Sequence, residues 1–312
     1  MKEVKVFAPA TAANLSCGFD IFGCALKFPG DEVLVRRTDQ AGVRIIKIEG
    51  DGGRLSYDTD ENTAGIAASL LLNHLQSEQG IEIELYKKMP LGSGLGSSAA
   101  SAVAALTAVN HLLGSPLPRI ELLPFAMETE RVVSGWGHAD NAAASLLGGF
   151  ILVRSYEPLD VLQLSVPDDL YFAVVRAHAE INTKKAREIL KPDVELKKAV
   201  VQWGNIAGMV TGLLNSDYDL ISRSMNDVIV EPVRAPLIPH FYDVKSAALK
   251  NGGLGCSISG SGPSIFAMCK GEKNARSAGQ AMGGIYDKAG LEHDVYLSQI
   301  NKNGPEILNE VL

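Results

Sequence analysis

The sequence predicts an α+β fold in two domains, residues 1–160 and 161–312. Three observations carry that expectation. Strand-like and helix-like segments alternate irregularly, without the steady βαβ rhythm of a parallel sheet. Residues 81 to 113 read as a half-buried strand, a glycine-rich loop and an alanine-rich helix in succession. Near Pro158 to Asp169 the chain crosses into a second half with its own strands, helices and glycine-rich segment. A chain of 312 residues suits two packed domains or one large one.

Val4 to Ala8 alternates apolar and polar residues as an opening strand does, and Pro9 predicts a loop running to Gly23. Glu32 to Arg37 and Val43 to Glu49 read as strands. Asn62 to His74 has helical spacing. Ile81, Ile83 and Leu85 alternate with Glu82 and Glu84, a half-buried strand that ends at Met89-Pro90. An alanine-rich helix then runs to Leu113, with Gly114 as its stop. Glu121 to Ser134 reads as a helix, Gly135 to Asn141 as a loop, and Ala142 to Leu147 as a short helix. Strands are expected at Gly149–Ser155, Tyr171–Arg176 and Ser264–Met268, and helices at Glu195–Asn215 and Tyr218–Asn226.

Composition excludes several classes. A net charge of −7 with no basic block argues against nucleic-acid binding. Cys17, Cys24, Cys256 and Cys269 form no C-x-x-C pair, so they read as buried apolar residues or free thiols. The N-terminus has no apolar signal core and no stretch of 18 apolar residues occurs, so no membrane is expected and the expected location is the cytoplasm.

The chemistry concentrates in the loop Gly92-Ser93-Gly94-Leu95-Gly96-Ser97-Ser98. A helix N-terminus offers unpaired N–H groups and a partial positive charge, and alternating glycines let a phosphate approach the backbone. Ser97 and Ser98 stand where a hydroxyl could cap the helix or reach a metal. The competing reading is a tight strand-to-helix turn with a serine cap. Gly94 to Ala99 also fits the pattern G-x-G-x-x-A, but no acidic residue ends a second strand about 20 positions on, as a dinucleotide site requires. A Walker A loop is excluded because no lysine follows the glycines.

Pro90-Leu91-Gly92-Ser93-Gly94-Leu95-Gly96-Ser97-Ser98-Ala99-Ala100 resembles the phosphate-binding motif of the GHMP kinases, the family of galacto-, homoserine, mevalonate and phosphomevalonate kinases. Two further motifs stand in the family's order. One is Pro9-Ala10-Thr11-Ala12-Ala13-Asn14-Leu15, continuing Gly18-Phe19-Asp20-Ile21-Phe22-Gly23. The other is Ser259-Gly260-Ser261-Gly262-Pro263-Ser264. The resemblance implies an N-terminal α/β domain like ribosomal protein S5 domain 2, with a left-handed β-α-β unit, and a ferredoxin-like C-terminal domain. It also implies ATP and Mg²⁺ as cofactors and a homodimer. Smaller matches resemble the homoserine-phosphorylating branch: Asn14 with Asp20, His138-Ala139-Asp140-Asn141, Thr183-Lys184-Lys185-Ala186-Arg187, and Glu231-Pro232-Val233-Arg234. They imply L-homoserine as the small-molecule substrate and a place in threonine biosynthesis. Another small-molecule kinase of the family, or a non-catalytic ligand sensor, are the alternatives.

The resemblance also implies roles. Glu130 and Ser98 would hold Mg²⁺. Arg187 and Arg234 would bind the substrate carboxylate, Asp20 its ammonium, and Asn14, His138 and Asn141 its polar groups. Asn62 would lie near the nucleotide base, and Thr183 would touch the transferred phosphate. Asp140 matches the segment that carries the base of mevalonate kinase, but is expected here to orient the 135–141 loop. The residues taken alone give plainer readings: a solvated helix carboxylate for Glu130, turn formers for Asn14 and Asp20, a structural histidine for His138, a surface arginine for Arg187 and a helix cap for Asn62. Gly260, Ser261 and Gly262 either support the phosphate loop or form a turn before the next strand.

Overall fold

The computed structural model describes residues 2–179, 181 and 183–311, with Thr183 and Lys184 described by their backbone alone. The first strand, β1 (Glu3–Ala13), continues past Pro9 where the sequence predicts a loop. The register with its antiparallel partner shifts between Pro9 and Thr11, and such a bulge tolerates a residue without an N–H. That partner, β2 (Phe22–Thr38), is 17 residues long, although only Glu32 to Arg37 shows a strand pattern. Exposed Lys27 and Phe28, followed by Pro29 and Gly30, imitate a turn inside it. β3 (Val43–Glu49) and β4 (Gly80–Tyr86) pair in parallel, as a crossover through α1 (Thr63–His74) allows.

The helix α2 (Ser97–Leu112) is buried along nearly all its length, and its run of alanines lets it lie close against β1 and β2. α3 (Leu123–Ser134) follows. α4 (Ala139–Leu147) starts three residues earlier than expected, which places Asp140 and Asn141 in a helical first turn instead of a loop. β5 (Phe150–Tyr156) and β6 (Leu159–Leu164) form a hairpin on the start of β2, so the chain leaves the first sheet only after Leu164.

The second half begins with β7 (Leu170–Ala177). There follow α5 (Thr183–Glu188), α6 (Leu196–Asn215), α7 (Tyr218–Ser224), α8 (Glu231–Arg234), α9 (Phe241–Lys250), β8 (Gly253–Ile258), β9 (Ile265–Lys270), α10 (Gly271–Ala289) and β10 (His293–Gln299). The sheet order is β10-β7-β9-β8 with antiparallel pairs, the 4-1-3-2 order of a ferredoxin-like domain. The last strand, β11 (Glu306–Val311), returns to the first sheet and pairs with β1, giving the path β11-β1-β2-β4-β3.

Strand alternation divides the two cores. Along β7, Phe172 and Val174 join the large core that contains β1, β2 and α2. Ala173, Val175 and Ala177 point the other way and pack with Phe241, Met282 and Tyr286 of α9 and α10. The first of these faces ties the two sheets together. It brings three loops to one place: residues 14–21 between β1 and β2, the glycine loop before α2, and residues 259–264 between β8 and β9.

Candidate active site

Gly92, Gly94 and Gly96 all adopt left-handed φ values, 64°, 77° and 66°. A Cβ on Gly94 would stand 2.5 Å from the Ser259 carbonyl oxygen and 2.8 Å from that of Gly262. One on Gly96 would stand 2.0 Å from Thr11 Oγ1, whereas Gly92 has nothing within 4 Å. Two glycines therefore admit close packing and the third leaves an open face beside the backbone. α2 begins at Gly96 with no side-chain cap, so its first-turn N–H groups have no partner within the helix. Leu95, Ala99 and Ala100 are core residues and offer a ligand only backbone. Ser93 is buried, and its Oγ accepts from Leu95 N at 3.3 Å. Pro90 and Leu91 line a cavity of about 380 Å³ with Gly50, Asp51, Arg54 and Tyr296.

Ser97 departs from expectation. Its hydroxyl donates to Asp31 Oδ2 at 2.8 Å and points into the protein, not toward a ligand or metal. The 259–264 turn clasps the loop from the second domain. Ser259 Oγ donates to Gly94 O at 2.7 Å, and Ser264 N donates to Ser93 O at 3.2 Å. Gly260 N donates to Ala13 O at 3.2 Å, and Asn14 Nδ2 and Arg234 NH1 both donate to Gly260 O. Gly260 and Gly262 have φ values of 57° and 85°, and Ser261 lies between them, half-buried.

Glu130, on the third turn of α3, is not the solvated carboxylate its charged neighbours suggest. Its Oε1 and the hydroxyl of Ser98 are both buried and lie near each other, and among the described residues neither makes a well-formed hydrogen bond. Burial pushes the Glu130 carboxyl above the usual range, and the nearby Ser98 hydroxyl holds back part of that rise. A carboxylate oxygen and a hydroxyl, both buried and unsatisfied, fit a hard cation that takes few protein ligands.

A second part of the site, around the 14–21 loop, is built from charged side chains. Arg187 grips Asp20 with two bonds, NH1 to Oδ1 at 2.9 Å and NH2 to Oδ2 at 2.6 Å. His138 joins them, with Nε2 3.1 Å from Arg187 NH1 and Nδ1 3.7 Å from Asp20 Oδ1. Burial lowers the His138 pKa, against the pull of Asp20, so the imidazole is neutral at pH 7. The Arg187 guanidinium lies 5.0 Å from the Phe19 ring and 5.4 Å from that of Trp136. The Arg234 guanidinium also lies over the Phe19 ring at 5.1 Å, and donates through Nε to Ala186 O at 3.0 Å. Asp20 has φ 61°, and its N–H donates to Asn14 Oδ1 at 3.0 Å, so Asn14 links this cluster to Gly260.

Asp140 and Asn141 lie between the two sides. Thr11 Oγ1 donates to Asn141 Oδ1 at 2.6 Å beneath Gly96. Asp140 is 3% exposed, and its Oδ1 accepts the Asn141 N–H at 2.8 Å. Burial pushes its carboxyl up to about 7, and the charges of Asp20 and Glu130 add to the rise. Tyr156 donates its hydroxyl proton to Asp20 O at 2.7 Å and accepts from Ala139 N at 3.3 Å, which ties α4 to the 14–21 loop.

Asn62 takes the plainer of its two expected places, that of a helix cap. Its Oδ1 caps α1 by accepting from Ala64 N at 3.0 Å, and its Nδ2 donates to Ser56 O at 2.9 Å. Thr183 starts α5, but its side chain, and so the role expected of it, lies outside the described residues. Sequence reading missed Phe19, Trp136, Thr11 and Tyr156 as site residues. It also missed Asp31 and Lys87 beneath the loop. Of these, Phe19 and Trp136 carried a signal, because Phe19 adjoins Asp20 and Trp136 stands between Gly135 and Gly137.

Residues 62–149 match the GHMP kinases N terminal domain, and residues 209–288 match the GHMP kinases C terminal domain. The chain is 51% identical to a homoserine kinase of Chloroherpeton thalassium, over 99% of this chain and 100% of the relative. It is 40% identical to a homoserine kinase of Xanthomonas campestris pv. campestris, over 99% of this chain and 95% of the relative. The crystal structure of homoserine kinase from Cytophaga hutchinsonii superposes with a TM-score of 0.97 at 56% identity, covering 99% of this chain and 98% of that one. With its glycine loop, its two-domain topology and this degree of likeness over its whole length, the chain belongs to the GHMP kinase family, among its homoserine kinases.

Proposed function

We propose that this chain transfers the γ-phosphoryl group of ATP to the side-chain hydroxyl of L-homoserine, giving O-phospho-L-homoserine and ADP for threonine biosynthesis. The observation that carries the substrate class is the two-bonded Arg187–Asp20 pair beside the phosphate loop. An α-amino acid bears both a carboxylate and an ammonium, so it can exchange with both partners at once: carboxylate to arginine, ammonium to aspartate. Mevalonate and sugars have no ammonium and would leave Asp20 without compensation.

The residues divide the work as phosphoryl transfer requires, mostly into positioning and charge neutralisation. The N–H groups of residues 92–98 and the α2 N-terminus bind the polyphosphate. Arg187, Asp20, Asn14 and His138 bind and orient the amino acid. Glu130 and Ser98 would hold Mg²⁺, which when bound supplies charge neutralisation at the phosphate oxygens. Asn141, fixed by Thr11, orients the hydroxyl. That oxygen forms the new bond to phosphorus as the bond to the β-phosphate oxygen breaks, and its proton leaves to the γ-phosphate or to water. The turn at Gly260, Ser261 and Gly262 keeps the loop closed from the second domain. The working unit is a homodimer, which sedimentation would test.

The deciding assay is Mg²⁺-dependent ADP release with L-homoserine, mevalonate, phosphomevalonate and galactose as acceptors. Homoserine should be favoured by about 100-fold or more in kcat/KM, since the others leave a partly buried charge without its partner. Turnover that homoserine fails to stimulate would sink the proposal.

A further inference from the structure

Beneath the glycine loop lies an ion pair that the phosphoryl-transfer steps do not use. Asp31, on β2, and Lys87, directly after β4, meet with side chains only 0% and 2% exposed. The Lys87 ammonium has three acceptors: Asp31 Oδ2, the Ser97 carbonyl oxygen at 3.1 Å and Ser101 Oγ at 2.7 Å. That uses all three of its donors. Asp31 is equally saturated. Its Oδ1 accepts the N–H groups of Lys88 at 2.8 Å and Met89 at 3.1 Å. Its Oδ2 accepts the lysine and also Ser97 Oγ at 2.8 Å.

The positions of these partners matter more than their number. Lys88 and Met89 are the last residues before Pro90, where the loop begins. Ser97 and Ser101 stand one turn apart at the start of α2, where it ends. One carboxylate and one ammonium therefore grip both ends of the loop at a single buried point.

Stability alone is a poor explanation for such a pair. Exchanging a buried ion pair for apolar residues of similar volume is often neutral or stabilising. A fixed point is a different benefit. The span between the grips contains three glycines, the residues that lose most conformational entropy on ordering. A loop that had to order itself around its ligand would bind more weakly by that cost.

We propose that Asp31 and Lys87 are positioning residues for the nucleotide. They hold the two ends of the glycine loop in fixed register, so that its N–H groups are already set for the polyphosphate. This rests on the reading of residues 92–98 as the ATP phosphate site. The pair is net neutral and acts through Lys88, Met89, Ser97 and Ser101, not through its own field.

The test compares two variants with the parent enzyme. Asp31→Asn/Lys87→Met removes both charges at nearly constant volume and strands neither ion. Ser101→Ala withdraws one partner of Lys87 from under the helix, away from any ligand. The KM for ATP should rise about tenfold in the double variant and about threefold in Ser101→Ala, the size of one or two net hydrogen bonds, while the KM for homoserine stays within about twofold. Exchange of the amide protons of residues 92–98 should quicken without ligand and slow again when ATP is added. A folded double variant with the parental KM for ATP would overturn the proposal. So would equal rises in both KM values, as expected of general loosening. If the double variant does not fold, Ser101→Ala decides by the same split. A parent enzyme that fails to bind ATP would refute the phosphate-site reading itself, before any variant is compared.

Discussion

The two sides of the site hold their charges in opposite ways. Under the glycine loop the side chains of Asp31, Lys87, Ser97 and Ser101 are buried and bonded to protein, and what the loop offers a ligand is chiefly backbone. On the acceptor side Asp20, Arg187 and His138 remain 22%, 27% and 28% exposed, and they satisfy one another. The first arrangement is a fixed mould and the second a set of exchangeable partners. A triphosphate is the same in every turnover of every family member, so backbone can be shaped for it once. The acceptor is what distinguishes one such kinase from another. Its recognition sits on side chains, where one unpaired charge costs a wrong substrate more than one missing methylene does.

The largest effect should come from Glu130, the proposed metal ligand. Glu130→Gln keeps shape and removes the anion. Turnover should fall by about 10³-fold, with homoserine binding, read by calorimetry, unchanged within about threefold. Near-parental turnover at low Mg²⁺ would remove Glu130 from metal binding. Next is the mould itself. Gly94→Ala forces a Cβ to within 2.5 Å of the Ser259 carbonyl oxygen at φ 77°, whereas Gly92→Ala has the backbone strain without the collision. Gly94→Ala should lower kcat/KM for ATP about 100-fold. Gly92→Ala should cost only about 1 kcal/mol of stability. Equal effects would mean that the 259–264 turn does not brace the loop.

The acceptor side should fail more gently. Arg187→Lys keeps the charge but loses the planar fork, so the KM for homoserine should rise about 10- to 30-fold while that for ATP stays put. Arg234→Lys serves as the contrast. Arg234 also donates to Gly260, which belongs to the clasp on the phosphate loop, so its loss should raise both KM values. Matching profiles for the two arginines would erase the distinction between mould and exchangeable partners.

The same contrast explains what the sequence could reveal. Gly92, Gly94 and Gly96 are legible because their conformational demand is local to the chain. The Asp31–Lys87 grip is not: 56 positions separate the two, and each reads as an ordinary charge at a strand end. Glu130 was readable only through resemblance, because the charges of Glu128 and Arg131 hide that its own oxygen is buried. In the fold, α10 escaped notice because Gly279, Gly283 and Gly284 depress its helical propensity. They are there because two of them face β10 closely, with Val295 3.2 Å from a Cβ at Gly279 and 3.1 Å from one at Gly283. β11 escaped because it is exposed on both faces and shows no alternation, and only pairing with β1 makes it a strand.

Asp140 should give the smallest change in rate and the clearest pH signature. It lies between mould and exchangeable partners, buried, with its Oδ1 held by the Asn141 N–H and its carboxyl pushed up to about 7. A carboxyl whose pKa is raised by folding binds more protons folded than unfolded between pH ~4 and ~7, so stability falls as pH rises through that window, by up to about 1.4 kcal/mol per unit. Asp140→Asn preserves the acceptor for Asn141 and abolishes the titration. Its thermal midpoint should match the parent near pH 4 and exceed it at pH 8. For catalysis, an orienting role predicts that kcat falls only about threefold, because a loose phosphoryl-transfer transition state needs little activation of the nucleophile. A base with this pKa would behave differently: parental activity would rise with pH through about 7, and the variant would lose both that limb and nearly all turnover while still binding both substrates. That result would make Asp140 the proton acceptor and place a catalytic ionisation where the present reading has only a scaffold. An unaltered pH–rate profile with a raised midpoint at pH 8 would leave it as a buried scaffold residue in the first turn of α4.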